Sequence, residues 1–309
     1  MSGAARAALF PGQGAQAAGM GRDLAEGDPE ARRRFDRAGE VLGFDLARVC
    51  FEGPAEELTR SDRAQPAIFV VSIVCFEALR RRRPELSWAA AAGLSSGEWA
   101  ALHAAGALSF EDALRVLQAR GRLMQDACER QPGAMTSVIG LAPDRLGEVC
   151  ARSGAEIANL NSAEQTVLSG RREAIEAAEK LATEAGARKV LRLNVAGAFH
   201  SSLMQPAADG LASVLAGVEF RAPSFPVLSN VTGEAHTTPD EIRHLMVRQV
   251  TGSVRWVDDV EWMKARGVTG YVECGPGKVL CGLVKRIDRS AVLNNISDLP
   301  SLGTAAAAL

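Results

Sequence analysis

The sequence predicts an α/β fold in which a small α+β unit interrupts a larger chain. Three observations carry this. Short apolar runs alternate with longer helical stretches toward both ends of the chain. Between them, within ~65 residues, lies a β-α-β-β-α-β order, the ferredoxin-like signature. Glycine-bearing tight turns close the first two runs, at Pro11-Gly12 and at Gly93–Gly97. A length of 309 residues fits this organisation, since domains usually take about 100–200 residues.

The elements follow in order. Ala7–Phe10 is a first strand, and polar helical sequence continues to about Val49. Ala67–Leu79 is apolar and runs into Arg80–Arg83 and Pro84. It reads as a core helix with arginines at the negative end of its dipole. Ser87–Ala92 predicts a second strand, followed after the glycine turn by helical Glu98–Leu108. Ser109-Phe110-Glu111-Asp112 reads as a capping box opening a helix to about Arg130. Strands are then expected at Ala134–Leu141, Glu156–Asn161, Thr166–Ser169 and Lys189–Val195, with helices at Pro143–Ser153 and Arg171–Ala187. Ser201–Gly217 is helical, Val227–Ser229 and Gly270–Glu273 are strand-like, and Gly275-Pro276-Gly277 turns into a helix over Lys278–Ile287. The alanine-rich tail Ala305–Ala308 is expected to fray. The chain thus divides into 1–130 plus 200–309 around an inserted unit at 131–199.

Composition narrows the function. Hydrophobic residues make up 47% and charged residues 23%, which excludes a disordered or fibrous chain. A net charge of -2 lacks the basic excess of a nucleic-acid binder. No run of about 18 apolar residues free of charge or turn signals occurs, so no membrane span is expected. Pro11-Gly12 interrupts the first apolar run, so no secretory leader is expected and a cytoplasmic location is. The six cysteines form no C-x-x-C pair, so free thiols are expected and no metal site.

Gly93-x-Ser95-x-Gly97 between a strand and a helix is the strongest chemical signal. On such a turn the serine hydroxyl stands above the sheet edge, and the Ser96 N–H faces the same space and can stabilise an oxyanion. An ordinary Gly/Ser turn is the alternative. Arg120 falls within the apolar arc defined by Leu114, Leu117, Leu123, Met124 and Cys128. A buried guanidinium is costly unless paired. It could clamp a substrate carboxylate, pair with an internal acid, or snorkel outward. His200 sits between a strand and a helix, where loops present catalytic groups, though a hydrogen-bonded structural histidine is the alternative. His103 reads as structural, and His236 and His244 lie in polar stretches expected to be exposed. Gly12-Gln13-Gly14-Ala15-Gln16-Ala17 matches a dinucleotide pattern, but the region where an acidic strand end should follow is helical and basic. Gly275-Pro276-Gly277-Lys278 lacks the leading Gly and the Ser/Thr of a P-loop.

These residues resemble the malonyl-CoA:acyl carrier protein transacylases of fatty-acid and polyketide synthesis. The matching strings are Phe10-Pro-Gly-Gln-Gly-Ala-Gln16, Gly93-Leu-Ser-Ser-Gly-Glu-Trp-Ala-Ala-Leu102, Arg120-Gly-Arg-Leu-Met-Gln125, Gly133-Ala-Met135, Asn161-Ser162, Gly197-Ala-Phe-His200, Ser229-Asn-Val231, Val247-Arg-Gln249 and Glu273-Cys-Gly-Pro-Gly-Lys278. They run in family order from about Ala8 to Ile287. The resemblance implies an α/β-hydrolase-like large domain with the ferredoxin-like domain inserted and the active site in the cleft between them. It implies Ser95 as nucleophile, His200 as general base and acid, and Gln13 and Ser96 as oxyanion donors. Arg120 would bind the malonyl carboxylate, the Gln249 carbonyl would orient His200, and Phe199 would favour malonyl over methylmalonyl. Asn161, Asn230 and Gln65 would line the cleft. Malonyl would pass from malonyl-CoA to the phosphopantetheine thiol of acyl carrier protein through a malonyl-serine. The substrates would be a coenzyme A thioester and the carrier protein, with no resident cofactor and a monomeric enzyme.

Two positions depart from the commonest family pattern. Leu94 stands where many relatives have His, a variant found in similar malonyltransferases, and Ser96 stands where they carry a bulky apolar residue. A serine thioesterase on the same turn would instead need Asp209 or Asp240 with His236 or His244, and has no use for Arg120. An inactive docking module for carrier proteins has no use for the set Ser95, His200 and Arg120. Because carrier proteins are acidic, Lys285, Arg286 and Arg80–Arg83 are candidate docking residues.

Overall fold

Two four-stranded sheets organise the chain, whose described residues are 5–309 of a computed structural model; residues 1–4 of the expected segment 1–130 lie outside them. The first part contains β1 (Ala5–Phe10), α1 (Arg22–Gly27), α2 (Pro29–Leu42), α3 (Leu46–Glu52), α4 (Ala55–Thr59), α5 (Ser61–Arg82), β2 (Ala90–Gly93), α6 (Gly97–Ala104) and α7 (Phe110–Arg130). The middle contains β3 (Gly133–Ile139), α8 (Pro143–Ser153), β4 (Glu156–Ser162), β5 (Gln165–Arg171), α9 (Arg172–Glu184) and β6 (Lys189–Arg192). The last part contains α10 (Gln205–Leu215), α11 (Pro239–Arg248), α12 (Trp256–Ala265), β7 (Val268–Cys274), α13 (Val279–Ile287), β8 (Val292–Ile296) and α14 (Leu299–Ala308).

The first sheet has the order β2-β1-β7-β8 and is parallel throughout. Ala8 and Phe10 of β1 enter one core cluster and Ala7 and Leu9 enter another. That alternation buries both faces, as a parallel sheet requires. The second sheet has the order β4-β5-β3-β6 and is antiparallel. Ala134 and Val138 of β3 pack with Leu146 and Val149 of α8 and Ile175 and Ala178 of α9, while Met135 between them belongs to the main core.

Three expectations need correction. Val227–Ser229 forms only isolated bridges, Val227 with Ala91 and Leu228 with Ala235. Pro226 has no N–H to extend the ladder backward. The tail does not fray. Asp298 and Ser301 make a capping box for α14, and Ala305 is buried. Strand β8 was not foreseen, because two asparagines interrupt its apolar run and it lies at the sheet edge. At α7 the expected capping box is half made. Ser109 Oγ accepts from Asp112 N–H at 3.0 Å, and the Asp112 carboxylate takes the Ser109 hydroxyl instead of its backbone N–H. Among the described residues all six cysteines are free, no group of His, Cys, Asp and Glu could hold a metal, and no helix is long and apolar enough to cross a membrane.

Candidate active site

Ser95 leaves the C-terminal end of β2 with φ 54, and His200 has φ 56; among the described residues no other non-glycine has positive φ. Such backbone costs ~1–3 kcal/mol per residue and persists only where its surroundings hold it. The glycines explain how the turn closes. A Cβ at Gly93 would lie 2.0 Å from the Gly97 carbonyl group, and one at Gly97 would lie 2.1 Å from the Phe10 oxygen. Asn230 clasps the turn from behind: Oδ1 accepts from Ser95 N–H at 2.7 Å and Nδ2 donates to the Gly93 carbonyl at 2.9 Å.

Ser95 Oγ lies 2.7 Å from His200 Nε2. His200 Nδ1 faces two carbonyl oxygens, Gln249 at 2.9 Å and Gly252 at 3.1 Å. Carbonyls only accept, so Nδ1 carries the proton and Nε2 offers its lone pair to the serine hydroxyl. Burial, followed by the charge of Arg120, pushes His200 down to about 4, so it stands neutral and ready as a base near pH 7.

Arg120 projects from α7 and is only 1% exposed. Nη1 donates to Gln65 Oε1 at 2.8 Å, and Nη2 donates to Gln249 Oε1 at 3.0 Å and Ser95 Oγ at 3.3 Å. Among the described residues no carboxylate pairs with it directly, and Nε has no protein partner. Of the three readings open from the sequence, the snorkelling side chain and the direct internal ion pair both fail. Burial lowers Arg120 to about 10, with Glu98 opposing the shift.

A cavity of about 930 Å³ opens over these groups, lined among others by Gln13, Gln65, Leu94, Ser95, Arg120, Asn161, Phe199 and His200. Asn161 brings a buried side-chain oxygen with no protein partner. One expected cleft residue needs correction. Asn230 is fully buried and outside the lining, where it holds the turn; Gln249 is buried too, with its carbonyl at His200 Nδ1 as expected and its side-chain amide at Arg120. Ser96 also lies outside the lining. Its hydroxyl accepts from Gln13 N–H at 3.2 Å, while its own N–H stands at the start of α6, where a helix leaves donors unmet.

His236 is not exposed. It is buried with Nε2 2.7 Å from Glu98 Oε1, and it serves no serine. His244 is exposed, Asp209 accepts from Gln205, and Asp240 pairs with Arg243, so the Ser-acid-His order of a hydrolase is not assembled. Arg286 and Lys278 stand at the cavity wall, whereas Arg80 and Arg81 line a separate concavity with Glu30 and Glu77. Sequence reasoning missed Glu98 and Asp259, both fully buried beside Asn230. The available signal was a carboxylate at position 98, inside the otherwise apolar start of α6.

Comparison with known proteins places the chain in a family. A family model described as the acyl transferase domain matches residues 8–304. A malonyl CoA-acyl carrier protein transacylase of Bacillus subtilis (strain 168) is 41% identical over 297 residues, covering 94% of this chain and 92% of the relative. An acyl carrier protein S-malonyltransferase from Vibrio cholerae O1 biovar eltor has a TM-score of 0.94 at 40% identity, over 97% of this chain and 99% of that one. A malonyl-transacylase solved in complex with its type II PKS acyl-carrier protein also has a TM-score of 0.94, at 38% identity over 99% and 100% of the two chains.

Proposed function

The chain belongs to the malonyl-CoA:acyl carrier protein transacylase family, and from that premise we propose that it moves malonyl from coenzyme A to a carrier protein through a malonyl ester on Ser95. One observation carries the reading: Ser95 Oγ lies 2.7 Å from the bare nitrogen of a neutral histidine and 3.3 Å from a buried, carboxylate-free arginine. A hydrolase needs the first contact only. A malonyl carboxylate explains the second.

In the first half-reaction His200 Nε2 takes the Ser95 proton as Oγ bonds to the thioester carbonyl carbon. The carbon–sulfur bond then breaks, and coenzyme A leaves with the proton returned by His200. In the second, His200 takes the proton of the phosphopantetheine thiol, the sulfur bonds to the ester carbon, and Ser95 Oγ leaves and is reprotonated. Ser96 N–H and Gln13 N–H receive the oxyanion, for which the Ser96 hydroxyl must release the Gln13 donor. The unmet N–H of Arg120 takes the malonyl carboxylate, with Gln65 steadying the guanidinium. Phe199 sets the room beside the acyl carbon, where excluding one methyl would be worth roughly 1–3 kcal/mol. Asn161 offers its free amide oxygen to the pantetheine arm. The Gln249 carbonyl orients His200 as an Asp does in a hydrolase triad. The steps above draw on Ser95, His200, Arg120, Gln13 and Ser96 and call for no resident cofactor.

The topology supports the same division as the sequence: an α/β-hydrolase-like domain of 1–130 and 200–309, and a ferredoxin-like insertion at 131–199. The sheet order β4-β5-β3-β6 with two helices on one face is the pattern of that insertion. The test is an intact mass spectrum after exposure to malonyl-CoA. The protein should gain one malonyl group and Ser95→Ala none. An adduct on Ser95→Ala would overturn the nucleophile, and malonyl-CoA hydrolysis as fast as transfer would favour a thioesterase.

A further inference from the structure

We infer that Glu98 is a positioning residue for the carboxylate clamp, acting through the side-chain amide of Gln249; this rests on the malonyl-transfer reading above. Glu98 lies on α6, three residues after the nucleophile, and is fully buried. Its carboxylate gathers three donors: Gln249 Nε2 at 2.5 Å, His236 Nε2 at 2.7 Å and Asn230 N–H at 3.2 Å. As a carboxylate it can only accept, so it dictates which end of the Gln249 amide turns toward it. The amide nitrogen faces Glu98 and the Ser95 carbonyl, and the amide oxygen is left to face Arg120. With the amide reversed, its NH₂ would meet the guanidinium donor to donor, and its oxygen would meet the carboxylate.

The consequence concerns charge as well as direction. On its other edge Arg120 is held by Gln65 Oε1, and the Gln65 amide is turned by donating to Gln13 Oε1. The guanidinium is therefore steadied between two neutral oxygens. A carboxylate at either place would neutralise it and compete with malonyl. Glu98 instead supplies the balancing negative charge one side chain away, leaving the arginine free to take a substrate carboxylate. An acetyl group has no carboxylate and makes no use of this arrangement. Positioning by Glu98 must then appear as discrimination between malonyl and acetyl, whereas a purely structural role would slow both alike.

The experiment measures kcat/KM with malonyl-CoA and acetyl-CoA, carrier protein as acceptor, for the wild type, Glu98→Gln, Gln249→Met and the double variant. The malonyl-to-acetyl ratio should fall about tenfold or more in each single variant, mainly through KM for malonyl-CoA, and the double should fall no further than the worse single. A ratio within about threefold of wild type in either folded single variant, or losses that multiply in the double, would overturn the inference. If Glu98→Gln does not fold, Gln249→Met decides alone, on the same ratio. A wild type that fails to transfer malonyl would overturn the transfer reading itself, a result distinct from an unchanged ratio in the variants.

Discussion

The parallel and antiparallel sheets contribute to the cleft in different ways. The parallel sheet β2-β1-β7-β8 has Ala7 and Leu9 packed on one face and Ala8 and Phe10 on the other, and its strand ends crowd until only glycine fits at 93 and 97. The antiparallel sheet β4-β5-β3-β6 packs one face on α8 and α9, while its other side supplies cavity-lining side chains such as Asn159, Asn161 and Leu191, the last of them 41% exposed. Around Ser95, therefore, backbone-to-backbone contact sets the distances, and a change of tenths of an ångström has nowhere to go. Across the cleft, side chains set the shape of the wall and can yield.

Substituting glycines in the two halves breaks or sharpens this contrast. Gly97→Ala drives a methyl against the Phe10 oxygen and should cost malonyl transfer about 10²-fold or more, because misplacement near 1 Å has that effect. A variant that acylates at the wild-type rate would show that the turn is not set by that contact.

The next effect is electrostatic. With His200 near 4, the neutral base is the dominant form above that pH. The acyl transfer rate should then stay flat from pH 8 to about 5 and fall about tenfold per unit below about 4. The charge of Arg120 is one cause of this depression. Arg120→Ala, assayed with acetyl-CoA, which needs no clamp, should therefore move the acid limb to higher pH. An unmoved limb would separate the arginine from the base.

The smallest expected effect lies in the second unit. Gly147 sits exposed within α8 with nothing inside 4 Å of an added Cβ. Gly147→Ala should raise stability by about 0.5–1 kcal/mol and leave transfer unchanged, as read by thermal melting and the transfer assay. A loss of activity there would mean that the two halves are not so differently constrained.

Legibility in the sequence followed the same divide. The turn at Ser95 was readable because its cause is local: two glycines, a strand before and a helix after. Arg120 was readable because one helix carries both the charge and the apolar arc that makes it anomalous. His236 looked exposed among polar neighbours, yet it is buried against Glu98, 138 residues earlier in the chain. Asn230 was readable as part of the site but not which side of the turn it occupies, since a loop string carries no direction. The α14 cap at Asp298–Ser301 was on the page, but repeated alanine suggested fraying where packing against the core supplies order.

By itself the sequence determined the turn that strains Ser95, the helix that carries Arg120, the order of strands and helices in the middle unit, and the family. These depend on residues within a few positions of one another, or on strings whose order survives without coordinates. Only the tertiary structure decided that the Gly252 carbonyl joins that of Gln249 at His200, that Arg120 is flanked by amides and not by acids, and that Glu98 and His236 share the space behind the nucleophile. Each of those is a hydrogen bond between groups some 50 to 140 residues apart. Burial makes such a bond obligatory, because a buried polar group without a partner is costly, but which partner meets it is decided by how the two sheets and their helices pack.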